Sequence, residues 1–218
     1  MNRHLQVVLS PIYDGSLAPE HVADLRKSTL TDEIIREQFI RSVPPAMIAP
    51  LLGFDRPEIR SAMLFPFRSA AGGFMNHTRL KIFPALTDEH GHAVKYLQPR
   101  RSGVRLYFVQ RCLARVLRSD EPLWITEGEK KACCVAQLGY AVVAIVGVEG
   151  WHAGGSTLLL PDFDDIPLHG RVIELLPDSD YQTNPNVERA IRAFAFALAA
   201  RGARPGVRLL PLEEGRRP

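Results

Sequence analysis

The sequence predicts an α/β fold in which a parallel sheet flanked by helices is preceded by a small basic α+β subdomain. Three observations carry this expectation. From Pro122 onward, short apolar runs alternate with helix-period segments, the pattern of strand-helix-strand units joined by right-handed crossovers. Ahead of them lie four short apolar or alternating runs separated by Gly72-Gly73, Asp88 to Gly91 and Ser102-Gly103, which read as a small antiparallel sheet. The third observation is charge. Between Arg56 and Arg118 twelve Lys and Arg stand against three Asp and Glu, an excess of +9, so the rest of a chain with net charge +3 carries −6. A basic part beside an acidic part suits one region that attracts a polyanion and another that gathers carboxylates around a metal.

Taken in order, the apolar lead-in ends in Pro11 and Gly15 and leaves open an edge strand or a loose segment. Pro19 suits a first helical turn, so His21 to Lys27 reads as a short helix, and Thr31 with Asp32 caps a second running through Phe39. Val43-Pro44-Pro45 stops it, and Leu51-Leu52-Gly53-Phe54 reads as a turn on the core. The antiparallel strands are Met63 to Phe67, Leu80 to Phe83, Val94 to Leu97 and Val104 to Phe108, followed by a linking helix over Val109 to Leu117. The parallel strands are Leu123 to Thr126, Ala141 to Val146, Val172 to Leu176 and Val207 to Leu210. Between them come a helix from Glu129 to Leu138, capped by Gly139, and a longer one from Val187 to Arg201 with Val187, Ala190, Ile191, Phe194 and Leu198 at helical spacing. The organisation expected is a helical segment 1–55, the basic subdomain 56–118, the sheet domain 119–212 and a disordered tail 213–218.

Composition narrows the class. An apolar share of 46% over 218 residues supports a sizeable core. No run approaches the roughly 18 apolar residues of a membrane span, and the N-terminus has no secretion signal, so a cytoplasmic protein without a membrane partner is expected. Cys112 stands alone and Cys133 and Cys134 are adjacent, with no C-x-x-C pair. That spacing argues for buried reduced thiols, and against a disulfide framework or structural zinc.

In an open parallel sheet, ligands gather at the carboxyl ends of the strands. Two acidic clusters fall there: Glu127 after the strand Leu123 to Thr126, and Asp178 with Asp180 after Val172 to Leu176. Spacing of i, i+2 in an extended backbone turns both aspartates to one side. Three carboxylates from two strand ends repel one another unless a cation lies between them, and hard oxygen donors suit Mg²⁺, or Mn²⁺ in its place. Taken singly, Glu127 reads more readily as a cap for the following helix and Asp180 as a solvated loop residue, and their joint placement reverses that preference. Lys130 and Lys131 at a helix start oppose its dipole, which fits a phosphate or nucleotide partner there, or lysines facing solvent.

Leu123-Trp124-Ile125-Thr126-Glu127-Gly128-Glu129-Lys130-Lys131-Ala132, then Ala141 to Gly147, then Ile173 to Asp180, resembles the Toprim domain of bacterial DNA primases, topoisomerases and some nucleases. With Asp-Ser-Asp and Thr183-Asn184-Pro185 it most resembles the uncharacterised Toprim-like domain of plasmid, phage and mobile-element replication proteins. The resemblance implies Glu127 for acid/base or metal chemistry and Asp178 with Asp180 for Mg²⁺. Leu64 to Phe67, Gly72-Gly73-Phe74, Arg79, Lys95-Tyr96-Leu97 and Leu106-Tyr107-Phe108 are similar to the basic subdomain before the primase Toprim core, which tracks single-stranded template. Arg68, Arg79, Lys81, Lys95, Arg100, Arg101 and Arg105 would contact phosphates, and Tyr96 would stack a base or serve the core.

The resemblance implies primase-like nucleotidyl transfer on single-stranded DNA or RNA in a replication module. Its partners would be nucleoside triphosphates and a replicative helicase or other replication proteins. Two readings stand beside it: a non-catalytic single-strand-binding replication or defence accessory, and a Toprim nuclease drawing on Glu149, Asp162, Asp164 or Asp165 as further ligands.

Overall fold

The computed structural model describes residues 3–118 and 120–209, with Asp180 described by its backbone alone. Leu210 and the expected tail 213–218 lie outside the described residues. The chain divides into two compact units, Met1–Gly103 and Val104–Pro218.

In the first unit the lead-in is a helix, α1 (Arg3–Leu9), and not a strand. Leu5 and Val8 sit three apart and are both buried, sharing one face of a helical turn. Next come α2 (Pro19–Lys27) and α3 (Asp32–Glu37), the latter capped by Thr31, whose Oγ1 accepts from the Ile34 N–H at 3.4 Å. Arg41–Val43 forms β1. The Pro44-Pro45 pair ends one element and begins another: α4 (Pro45–Leu52) carries its proline in the first turn, where a missing N–H leaves no hydrogen bond unmade. Leu51 and Leu52 are thus the end of a helix, and the turn predicted around them is its cap at Gly53, φ 76°.

Strands β2 (Ser61–Arg68), β3 (Phe74–Thr87) and β4 (Ala93–Leu97) complete an antiparallel sheet in the order β1-β2-β3-β4. Ala62, Leu64, Leu80 and Ile82 join Leu5, Val8, Leu51 and Leu52 in one core, so α1 and α4 cover this face. Lys81 pairs with Asp24, and the His21 ring lies 4.7 Å from Phe83, which puts α2 on the opposite face. Residues 1–55 and 56–103 therefore fold together, because β1 is the edge strand beside β2.

Joint folding changes the charge balance. The first unit holds thirteen Lys and Arg against ten Asp and Glu, and the second fourteen against fourteen. The linear split of +9 and −6 becomes +3 and 0, since Arg105, Arg111, Arg115 and Arg118 belong to the second unit and the first 55 positions, with seven acidic and five basic residues, share a body with the rest of the basic segment.

In the second unit the predicted fourth antiparallel strand joins a different sheet. Leu106, Tyr107, Phe108 and Val109 are all buried to 1% exposure or less, a run that needs cover on both faces. Accordingly β5 (Tyr107–Phe108) pairs antiparallel with β7 (Ala141–Ile145) at the edge of the parallel sheet. The linking helix is a 3₁₀ turn, Gln110–Cys112, and one α-turn, α5 (Leu113–Val116). There follow β6 (Leu123–Glu127), α6 (Glu129–Gln137), β8 (Val172–Leu176), α7 (Pro185–Ala200) and β9 (Arg204–Val207). The sheet order is β5-β7-β6-β8-β9, parallel apart from β5. Among the described residues no helix is long and apolar enough to cross a membrane.

Arg171, only 2% exposed, ties β8 to the segment before β6. Its guanidinium donates to the carbonyls of Glu121 (2.9 Å), Val116 (2.5 Å) and Arg115 (3.0 Å), two of them at the open C-terminal end of α5. Arg171→Met removes the side-chain donor from the Glu121 and Val116 carbonyls, while the Arg115 carbonyl keeps the Arg118 N–H, and the expected loss is about 2–4 kcal/mol. Urea unfolding measures it; an unshifted midpoint would show that Arg171 carries no such burden.

Candidate functional site

From β6 the chain crosses through α6 to β7 on one side, returns past β6 to β8, and crosses through α7 to β9 on the other. Right-handed crossovers in opposite directions put the two helices on opposite faces and open a crevice at the carboxyl ends of β6 and β8. Glu127 ends β6, and Asp178 follows β8 by two residues. The buried Thr126 hydroxyl donates to the Leu176 carbonyl at 3.1 Å, pinning the two strand ends together beneath both acids.

Glu127 keeps strand geometry opposite Ile145, and its neighbour Gly128 then turns with φ 76° and donates its N–H to the Ile145 carbonyl at 2.9 Å. That positive φ lets β6 pass directly into α6. One turn into α6, Lys131 forms an ion pair with Asp178, with side-chain exposures of 27% and 52%. The two predicted site residues are thus brought together as partners, with Lys131 supplying the positive charge that the aspartate faces.

The Asp178-Ser179-Asp180 segment is not extended as the sequence spacing suggested. Residues Ser179–Gln182 form a 3₁₀ turn, and the Tyr181 N–H donates to the Asp178 carbonyl at 3.1 Å. A 3₁₀ turn does not place i and i+2 on one side, so the alternation rule does not apply there. The Asp180 side chain lies outside the described residues. Among the described residues no group of three His, Cys, Asp or Glu stands close enough to hold a metal. Glu127 at the end of β6 and Asp178 two residues past β8 are hard oxygen donors, and Asp178 faces the Lys131 ammonium.

The predicted nucleic-acid contacts separate into two groups. Arg68 is 8% exposed, donates to the carbonyls of Gly72 and Glu37 at 2.9 and 3.1 Å, and packs 3.9 Å from the Phe74 ring centre. Lys81 is 11% exposed in its pair with Asp24. Arg105 forks onto the buried carboxylate of Asp162, which also accepts the Leu106 N–H at 2.9 Å. These three cations hold the fold, and Asp162, named as a spare ligand, is committed to Arg105. Glu149 and Asp164 are paired with His152 and Arg201. Arg79 lies 4.8 Å over the Tyr96 ring, which is half-buried against Phe65. Lys95, Arg100 and Arg101 are exposed, and no ion pair engages them among the described residues. Lys130 is half-buried beside Lys131. Sequence reading gave no sign of Arg171 or of the part Asp162 plays, because an isolated Arg or Asp carries no periodicity.

The profile of a domain of unknown function (DUF3854) matches residues 113–216. The fold is similar to the crystal structure of the Aquifex aeolicus primase, comprising its zinc-binding and RNA polymerase domains. The TM-score is 0.62 at 13% identity, over 96% of this chain and 52% of that one. The chain thus spans about half the length of the structure it matches. No curated protein matches the sequence.

The two groups of cations differ in what removal costs. Arg105→Gln and Lys81→Gln each strand a buried or part-buried carboxylate, with an expected loss of about 2–4 kcal/mol. Lys95→Gln and Arg100→Gln should stay within about 0.5 kcal/mol of the wild type. Chemical denaturation of the four variants checks the division, and equal losses across them would erase it.

Proposed function

We propose that this chain is the catalytic core of a Mg²⁺-dependent, primase-like enzyme of the Toprim type, joining nucleotides on a single-stranded template in a replication module. The observation that carries this reading is that Glu127 ends β6 and Asp178 follows β8 at the switch point between these strands, in a fold similar to a primase. Glu127, Asp178 and Asp180 would hold Mg²⁺, or Mn²⁺, which when bound supplies charge neutralisation at a triphosphate. Glu127 would take the proton from the attacking hydroxyl, and Lys130 and Lys131 would orient phosphate oxygens at the start of α6. Lys95, Arg100, Arg101 and Arg79 with Tyr96 are the side chains that would meet a single strand. Nucleoside triphosphates, single-stranded DNA or RNA and other replication proteins such as a helicase are the partners on this reading, in the cytoplasm.

A second reading rests on Lys131. Because Lys131 gives Asp178 a counter-charge from within the chain, this aspartate is neutralised without a metal. That favours a binding accessory which keeps the fold without turnover.

Primer synthesis from labelled nucleotides on single-stranded DNA, with and without Mg²⁺, decides between the two. Glu127→Gln should lower incorporation about 100-fold or more while single-strand affinity changes less than about twofold, since a proton acceptor is lost and no phosphate contact is. Asp178→Asn should weaken Mg²⁺ binding in a calorimetric titration. Absence of incorporation by the wild type with any divalent ion and template would transfer the protein to the binding reading.

A further inference from the structure

The first unit contains a pocket of about 330 Å³, of the size that accepts a small ligand. Its polar wall is Asn76, His77, Thr78, Arg100, Arg101 and Ser102, and no carboxylate lines it among the described residues. Leu5 and Leu51 give it an apolar side. Two arginines without an acidic neighbour are a standing attraction for an anion, and guanidinium forks match phosphoryl oxygens.

The arginines are held in place. The Arg100 N–H donates to the Leu52 carbonyl at 2.9 Å, and its guanidinium lies 5.9 Å from the Phe54 ring centre. The Ser102 N–H closes a turn onto the Pro99 carbonyl at 3.1 Å. Arg101 sits inside that turn at φ 62°, a conformation that costs a residue with a Cβ free energy and persists only where neighbours impose it. The Thr78 hydroxyl is engaged by the Phe65 carbonyl at 2.9 Å, whereas the Ser102 hydroxyl oxygen is buried with no partner among the described residues. A buried hydroxyl without a partner is costly unless a ligand or water completes it.

We propose that this pocket binds the phosphoryl group of a nucleoside 5′-phosphate, free or at the end of a nucleic-acid strand. Arg100 and Arg101 would grip the phosphoryl oxygens, and Ser102 would donate to one of them. The nucleoside part of the ligand rests on the nucleic-acid reading; the phosphoryl part rests on the pocket alone and does not involve Glu127 or Asp178.

The test uses the full chain in EDTA, so that the carboxylate site contributes no metal-borne contact. A short oligothymidylate labelled at its 3′ end is titrated with either a 5′-phosphate or a 5′-hydroxyl, and adenosine 5′-monophosphate is added as competitor. The phosphate-ended strand should bind about tenfold more tightly than the hydroxyl-ended one. Arg100→Gln with Arg101→Asn should erase that difference, Asn being chosen because it tolerates the positive φ. Asn76→Asp, which places a carboxylate in the pocket, should erase it as well, and thermal melts confirm that each variant folds. Lys27→Gln with Arg60→Gln, two exposed cations off the pocket, should leave the difference intact. Displacement by the mononucleotide assigns the site to a free nucleotide, and preference for the phosphate-ended strand without displacement assigns it to a strand end. Equal affinity for both strands with no mononucleotide binding overturns the proposal, as does equal loss in the off-pocket pair.

Discussion

The second unit is organised by the position of β6. Leu123 and Ile125 are buried, and the strand has parallel neighbours on both sides, so crossovers leaving its sheet neighbourhood must run in opposite directions. A crevice at the carboxyl ends of β6 and β8 follows from topology alone, before any side chain is considered. The chain then uses local chemistry to sharpen it. Thr126 locks one strand end to the other, and Gly128 makes a turn that a residue with a Cβ takes only under strain. Close beneath, Ile125 and Leu175 meet Ile191 and Phe194 of α7, which backs the acidic edge with packed apolar side chains. The acids thus stand above packed strand ends.

Charge in this protein is governed by folding more than by sequence position. The basic segment looks like an electrostatic track when counted along the chain. Once β1 pairs with β2, acidic residues of the first 55 positions enter the same body, and Asp24 reaches Lys81 directly. Exposed Lys95, Arg100 and Arg101, with Arg79 stacked on Tyr96, are among the cations of that segment left for a polyanion. Within the second unit, Asp162 draws Arg105 inward and Arg171 serves only backbone carbonyls. A cation that satisfies a buried acceptor is a structural part, and its exposed neighbour is available to a partner.

Regular elements were legible where one periodicity ruled. The strand Val172–Leu176 and the stripe of α7 stood out because apolar spacing alone fixes them. The sequence places β5 in the antiparallel sheet, and the structure in the parallel one, because Leu106 to Val109 is equally good as a strand in either; only burial on both faces distinguishes the two, and burial is a tertiary property. α4 was hidden behind Pro44-Pro45, since a proline pair marks a helix end and a helix start alike. At the candidate site the strand ends and Glu127 were readable. The 3₁₀ turn after Asp178 was not, because Asp-Ser-Asp carries no local signal that separates an extended exit from a turn.

Lys131 shows how a reading from helix electrostatics changes in three dimensions. A lysine in the first turn of a helix faces the positive end of the dipole, which in sequence calls for an external anion. Here Asp178 provides that anion from the neighbouring strand end, so the unfavourable term is already offset within the fold. The pair is partly exposed, and such a pair is worth little net stability, roughly 0–1 kcal/mol. A weak contact of this kind costs little to exchange, so on the proposed reading a phosphate oxygen would replace Asp178 at Lys131 while a metal would replace Lys131 at Asp178, with little change in the energy of the fold. The pocket beside Arg100 and Arg101 lacks any such internal counter-ion among its lining residues, so there the attraction for an anion stands undiminished.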